Sequence, residues 1–190
     1  IIPLYQKNGY KCRKARLLLG LCLQSEGITD GDPLFSNIKM EEPHMNKLGF
    51  GFLRLPVTPA GEIDLSLLDQ MTDVFLAHGQ NYFDTAYTYL DGKSEWAIRE
   101  SLVKRHPRSS FLLADKLPGY KMTSHEDCYQ YFKEQQDRCQ VDFFDVYLLH
   151  WLNGKHYEIA EKYREFEFLE ELKKTGKAAP SSPDAAMRLP

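Results

Sequence analysis

No stretch of this 190-residue chain approaches the roughly 18 apolar residues that a membrane span requires. Cysteine is scarce, and the four present (Cys12, Cys22, Cys128 and Cys139) form neither a CxxC nor a zinc-ligand spacing. That usage reads as small buried thiols in a reducing cytoplasm rather than as a disulfide framework. The six histidines make no HxxxH or HExxH pattern, so no metal site is expected. Neither sign of charge dominates: 24 Lys and Arg face 27 Asp and Glu, for a net charge of −3. This gives no electrostatic case for nucleic acid or for an anionic membrane as partner. Phosphate loops, nucleophile elbows and nucleic-acid modules are missing too. GFGF at 49–52 is only a GxG fragment, without the third glycine or the acidic partner of a dinucleotide fingerprint.

What is present is a repeating pattern. Apolar content of 43% and aromatic content of 13% suit a globular domain with a sizeable core. Strand-like runs occur at 47–55, at YFDTA, at SFLLADK and at VDFFDVYLLH, each followed by residues with helical spacing. Asp64 is placed to cap a helix bearing Leu67, Leu68, Met71, Val74 and Phe75, with Gly79 as its stop. A turn at Asp91-Gly92 leads into SEWAIRESLVKR, with Ile98 and Leu102 inward. Thr123 and Glu126 have the spacing of a capping box, and Cys128, Phe132, Gln135 and Cys139 share one face of the helix that follows. One last helical stretch puts Ile159, Phe166, Leu169 and Leu172 inward and ends at Gly176. Four strands alternating with helices predict an α/β fold with a parallel sheet of (β/α) TIM-barrel type.

In such a fold chemistry gathers where strands end and loops begin. Asp84 and Tyr89 in FDTAYTY, Lys116 in LLADKLP and His150 in VYLLHW all lie at or just past strand ends. An acid, a phenol, an amine and an imidazole suit proton donation to a carbonyl during its reduction. A free phenol has a pKa near 10, and moving it close to 7 needs about 4 kcal/mol. A cation about 4 Å away at an effective dielectric of 20 supplies about that much. Lys116 is the candidate cation, Asp84 would keep it in place, and His150 would orient the substrate oxygen or relay a proton.

These segments resemble the aldo-keto reductases, NADPH-dependent (β/α)8-barrel enzymes that reduce aldehydes and ketones. The resemblance rests on KLGFGFLRLP, FDTAYTYLDGKSE, LLADKLP and DFFDVYLLHW and covers about residues 45–176. It implies a catalytic tetrad of Asp84, Tyr89, Lys116 and His150; the family's tyrosine follows its aspartate by five, which selects Tyr89 over Tyr87. It also implies that Gly51, Phe52, Leu53, Arg54 and Asp84 lie near the nicotinamide end of the cofactor and that Trp151 lines the substrate pocket. The cofactor it implies is NADPH, with NADH as the alternative, and the partner a small carbonyl substrate. The wording also resembles a bacterial branch with a ferredoxin-like, cysteine-rich segment, whose iron–sulfur cluster has no counterpart in this sequence.

A full barrel takes eight strands and about 250 residues, so the pattern corresponds to its first four β/α units. Family cofactor sites draw heavily on strands five to eight. The alternative reading is therefore an inactive fragment or a non-catalytic cofactor-binding half-barrel, able to self-associate through exposed sheet edges. Residues 1–44 match nothing in the family. Their five basic side chains before LLLGLCL outline a secretory signal, but no small-residue cleavage site follows. Met45 reads as a natural start, and Met40-Glu41-Glu42 is encodable with a purine-rich run of ribosome-binding type, so 1–44 is expected to be translated upstream sequence. Residues 177–190, rich in Ala, Pro and Ser, are expected to form a disordered tail. The native codons check the first expectation: a purine-rich run just before Met45 supports it, and its absence opposes it.

Overall fold

The structure, a computed structural model, describes residues 48–178. The expectations for 1–44, for the Met45 start, for Cys12 and Cys22 and for 179–190 lie outside the described residues. Four strands form one parallel sheet in sequence order: β1 (Gly49–Gly51), β2 (Tyr82–Asp84), β3 (Leu112–Leu117) and β4 (Val146–Leu149). Parallel neighbours need a crossover, and helices supply it. α1 (Leu65–Ala77) joins β1 to β2, and α2 (Lys93–Ile98) with a π-turn at Arg99–Val103 joins β2 to β3. α3 (Glu126–Cys139) joins β3 to β4, and α4 (Gly154–Lys162) and α5 (Glu165–Thr175) follow. This is the strand order of consecutive β/α-barrel units. All four strands are shorter than the apolar runs that announced them, because ladder pairing stops where the chain begins to turn.

Side chains alternate along a strand, and the face of the sheet turned toward the helices carries the core. Phe83 is fully buried, with Phe75 at 5.2 Å, Phe50 at 5.8 Å, and Phe52 and Phe111 each at 6.2 Å between ring centroids. A second aromatic group joins Phe132, Phe144, Tyr147 and Phe168 under β4.

Asp64 caps α1 as its sequence predicts, accepting from Leu67 N at 3.0 Å. The helix carries two apolar stripes and only one meets the sheet: Leu68 and Thr72 are buried, while Leu67, Met71 and Val74 are exposed. On α3 the predicted face is the buried one, with Cys128, Phe132, Gln135 and Cys139 inward.

Three details differ from expectation. The residue that reaches back at the start of α3 is Asp127, not Glu126: its carboxylate accepts from the N–H and hydroxyl groups of both Thr123 and Ser124, which pulls its pKa down to about 2. The last helical stretch is two helices, broken at Arg164, whose φ of 59° is left-handed. As a result Phe168 is buried and Phe166 only partly so. Lys177 and Ala178, placed in the tail by composition, are ordered: Phe144 N donates to Lys177 O at 3.1 Å, and Ala178 makes a parallel bridge to Phe144 beside β4.

Truncating Phe83 to Ala opens a cavity among four aromatic rings. It should lower the unfolding free energy by about 3–5 kcal/mol in urea titration. A loss below about 1 kcal/mol would show that the cluster is not packed as described.

Candidate active site

Each candidate residue is placed by its strand. Asp84 ends β2, Lys116 stands one residue before the end of β3, and His150 directly follows β4. The sheet ladder runs one step past β4, since His150 N donates to Leu117 O at 2.9 Å. Tyr89 opens a 3-10 turn, Tyr89–Gly92, in which Leu90 and Asp91 adopt φ of 52° and 55°. Left-handed backbone at two successive non-glycine residues is unusual. Here it reverses the chain just past the sheet.

Asp84 is in register with Ala114, so Lys116 lies two residues further along the sheet. β2 has left the sheet at that level, and the lysine amine meets it instead. Nζ donates to Asp84 Oδ1 and to Thr85 O, both at 2.7 Å. The pair is sheltered, with side-chain exposures of 13% and 27%. Nζ also lies 4.6 Å from the centroid of the Tyr89 ring, within the range of a cation–π contact. The His150 ring meets Tyr89 edge-on at 5.4 Å. All four predicted residues thus gather around one ammonium.

His150 is held neutral. Burial, then the nearby Lys116 charge, push its pKa down to about 4. Its Nδ1 is buried without a hydrogen-bond partner. A neutral imidazole can orient a substrate oxygen through one nitrogen, but it is a poor proton source at pH 7.

The remaining predicted positions divide. Gly51 is exposed, in register with Asp84, and a Cβ built there meets nothing within 4 Å. Leu53 and Arg54 are exposed on the loop beyond it. Phe52 goes the other way: its side chain is fully buried in the aromatic core. Its N–H donates to Asp84 O at 2.8 Å and its carbonyl accepts from Ser94 Oγ at 2.8 Å. Strand alternation turns this side chain into the core, while its main-chain N–H braces Asp84. Trp151 is 69% exposed and has φ of 56°.

Sequence reasoning missed the partners of that tryptophan. Tyr120, in the loop after β3, lies 5.9 Å from the His150 ring and 6.1 Å from Trp151. His156, on the first turn of α4, stacks on Tyr120 at 5.3 Å, and its Nδ1 is 2.7 Å from Trp151 O. Thr88 Oγ1 is 3.1 Å from the Tyr120 hydroxyl. The available signal was position alone, because loops that follow barrel strands carry the chemistry. Among the described residues no cluster of three metal-ligating side chains occurs, and no helix is long and apolar enough to cross a membrane.

A model of the aldo/keto reductase family matches residues 47–180. The chain belongs to that family. Among solved structures it is similar to an aldo-keto reductase from Klebsiella pneumoniae in complex with NADPH, at 23% identity and a TM-score of 0.58, covering 70% of this chain and 43% of that one. A second K. pneumoniae structure, with NADP and acetate, is 22% identical with a TM-score of 0.57, covering 70% and 44%. The holo form of an aldo-keto reductase from Bacillus halodurans is 27% identical with a TM-score of 0.57, covering 71% and 44%. No curated protein matches the chain. The chain thus spans less than half the length of these three aldo-keto reductases, and its four strands correspond to part of their barrel.

The neutral His150 has a measurable consequence. Its pKa, about 6.5 when unfolded, falls to about 4 in the fold. With the folded value the lower one, the contribution to stability is complete above about pH 6.5 and is lost as pH falls toward 4. Over that window the wild-type chain should lose unfolding free energy that His150→Gln does not. Parallel pH dependences in urea unfolding would show that the imidazole is not held neutral.

Proposed function

We propose that this chain carries the acid–base half of an NADPH-dependent carbonyl reductase that converts an aldehyde or ketone to an alcohol. The observation that carries this reading is the convergence of Asp84, Tyr89, Lys116 and His150 on one sheltered ammonium. The residues present suit the nicotinamide end of the cofactor. Gly51 leaves open space beside Asp84, with Leu53 and Arg54 exposed on the loop beyond. The NADPH and NADP of the K. pneumoniae structures favour the phosphorylated nicotinamide over NADH. A bound nicotinamide would supply the hydride for the carbonyl carbon. As the carbonyl π bond opens, the Tyr89 hydroxyl gives its proton to the oxygen. Lys116, over the ring face, stabilises the negative charge left on the phenol. Asp84 and the Thr85 carbonyl fix the ammonium, and neutral His150 orients the substrate oxygen. Trp151, with Tyr120 and His156, forms the wall beside it. A reducing cytoplasm suits the free thiols of Cys128 and Cys139.

A second reading is a non-catalytic half-barrel that acts only when paired with another half, or not at all. It is favoured by the sheet itself: among the described residues β1 and β4 are edge strands, and only the Phe144–Ala178 bridge extends the sheet. Exposed edges promote association.

Turnover of NADPH with an aldehyde panel separates the readings. Carbonyl reduction requires that Tyr89→Phe abolish turnover, at least 100-fold, with NADPH affinity nearly unchanged. Retained activity in that variant would remove Tyr89 from the mechanism. An inert chain that binds no NADPH and elutes as an aggregate would favour the fragment, and a defined dimer that binds it the paired half-barrel.

A further inference from the structure

β3 carries a second carboxylate, next to the lysine and on the opposite face of the sheet. Asp115 is fully buried, and so is Glu95 from α2. Two carboxyls brought together out of water cannot both ionise at ordinary cost. The surroundings show which one keeps the charge. Arg138 from α3 donates to Glu95 Oε2 at 2.9 Å, and its other nitrogen reaches Glu134 on the exposed side. Asp115 has no cationic side chain bonded to it. Its Oδ1 accepts the main-chain N–H of Lys116 at 2.7 Å, and among the described residues the one donor near its Oδ2 is the weak thiol of Cys139 at 4.0 Å, with the Glu95 carboxyl within hydrogen-bonding reach of the Asp115 side chain. Among the described residues Glu95 Oε1 has no hydrogen bond of ordinary geometry, although, against the rise that burial causes, the Gln135 and Asp115 side chains both lie close enough to lower the Glu95 pKa. Burial first and Glu95 second push the Asp115 pKa well above the carboxylate range.

We propose that Asp115 is a neutral carboxylic acid that donates its proton from Oδ2 to Glu95 Oε1 and, through Oδ1, positions the backbone of Lys116. A proton there satisfies the orphaned Glu95 oxygen and leaves Glu95 and Arg138 as a balanced ion pair. It also explains how Lys116 is supported where β2 has peeled away. Its N–H, which would otherwise extend the ladder toward β2, is taken by Asp115, and its carbonyl accepts from Gln135 Nε2 at 3.2 Å. Gln135 is in turn fixed by the Tyr147 hydroxyl. The groups that act on Asp115 are Glu95 on α2, Cys139 on α3, Tyr147 on β4 and the amide and charge of Lys116 on β3, while Arg138 and Gln135 of α3 act through Glu95 and the Lys116 carbonyl. Asp115 is a positioning residue, not a catalytic one. Its effect on turnover rests on the carbonyl-reductase reading; its protonation and its hold on Lys116 do not.

The test uses the full chain and the variants Asp115→Asn and Asp115→Ala. Asparagine copies the protonated acid: its Oδ1 accepts the Lys116 N–H and its Nδ2 donates to Glu95. Because the folded pKa of Asp115 is raised, wild type loses stability relative to Asp115→Asn as pH rises from about 4. At pH 7 the asparagine variant should unfold at an equal or higher temperature, with the difference shrinking toward pH 4. Infrared spectra at pH 7 should show a protonated-carboxyl band that Asp115→Asn removes. In amide NMR spectra the Lys116 resonance should stay near its wild-type position in Asp115→Asn and move in Asp115→Ala. No protonated-carboxyl band, or an asparagine variant as damaging as alanine in both melting temperature and Lys116 shift, would overturn the proposal. None of these readouts depends on turnover, so an inert chain would sink carbonyl reduction and leave this proposal to its own data.

Discussion

The site depends on one ammonium group and the place where a strand ends. Parallel strands hold each other through their main chains only while they run side by side. When β2 turns away after Asp84, the next positions of β3 lose their ladder partner. Lys116 sits at that point, and its side chain replaces the missing rung by bonding Asp84 Oδ1 and Thr85 O at 2.7 Å each. The same contact that closes the end of the sheet places a positive charge 4.6 Å from the Tyr89 ring centroid. Structure and chemistry are served by one interaction. A neutral residue of equal length at 116 would lose the tie to Asp84 as well as the charge.

Burial first and that charge second set the state of the neighbouring histidine. His150 is partly buried and close to Lys116, and both effects disfavour a second positive charge. Its imidazole stays neutral where an isolated histidine would be partly protonated. The imidazole is thereby left neutral beside the Tyr89 phenol, which it meets edge-on. On the other face of the sheet Asp115 and Glu95 pose the same electrostatic problem with the opposite sign. There a shared proton and Arg138 resolve it.

How far the sequence foretold this depends on the kind of signal each residue carried. Asp84, Lys116 and His150 were legible because each closes a strand-like run, and a strand's end needs no tertiary knowledge to locate. Tyr89 was legible only through its spacing from Asp84; nothing local predicts two left-handed residues at Leu90 and Asp91. The burial of the Phe52 side chain was not legible, because the alternation of a three-residue strand is too brief to show which face it joins. The apolar repeat of α1 could not say which of its two stripes meets the sheet. The break at Arg164 had no glycine or proline to mark it. Tyr120 comes from the loop after β3 and His156 from the first turn of α4, and their stacking depends on how those segments pack. Asp115 left a trace in the sequence: it is the one acid in β3, whose other residues apart from Lys116 are apolar, and buried parallel strands are nearly continuous in apolar residues.

The contacts that set the acid–base geometry have a further common property. Asp84, Thr85, Tyr89, Lys116, Tyr120 and His150 all lie between β2 and the residue after β4. Asp115, Glu95, Gln135, Arg138 and Tyr147, which support them from the other face, come from the same span. Every bond that fixes the lysine in place closes within it. The Lys116 ammonium and its neighbours are arranged by these strands and their crossovers, with the Phe52 N–H beyond β1 adding a bond to Asp84 O. Neighbouring strands in this sheet are consecutive in sequence, so the four residues around the ammonium come together once β2, β3 and β4 have paired.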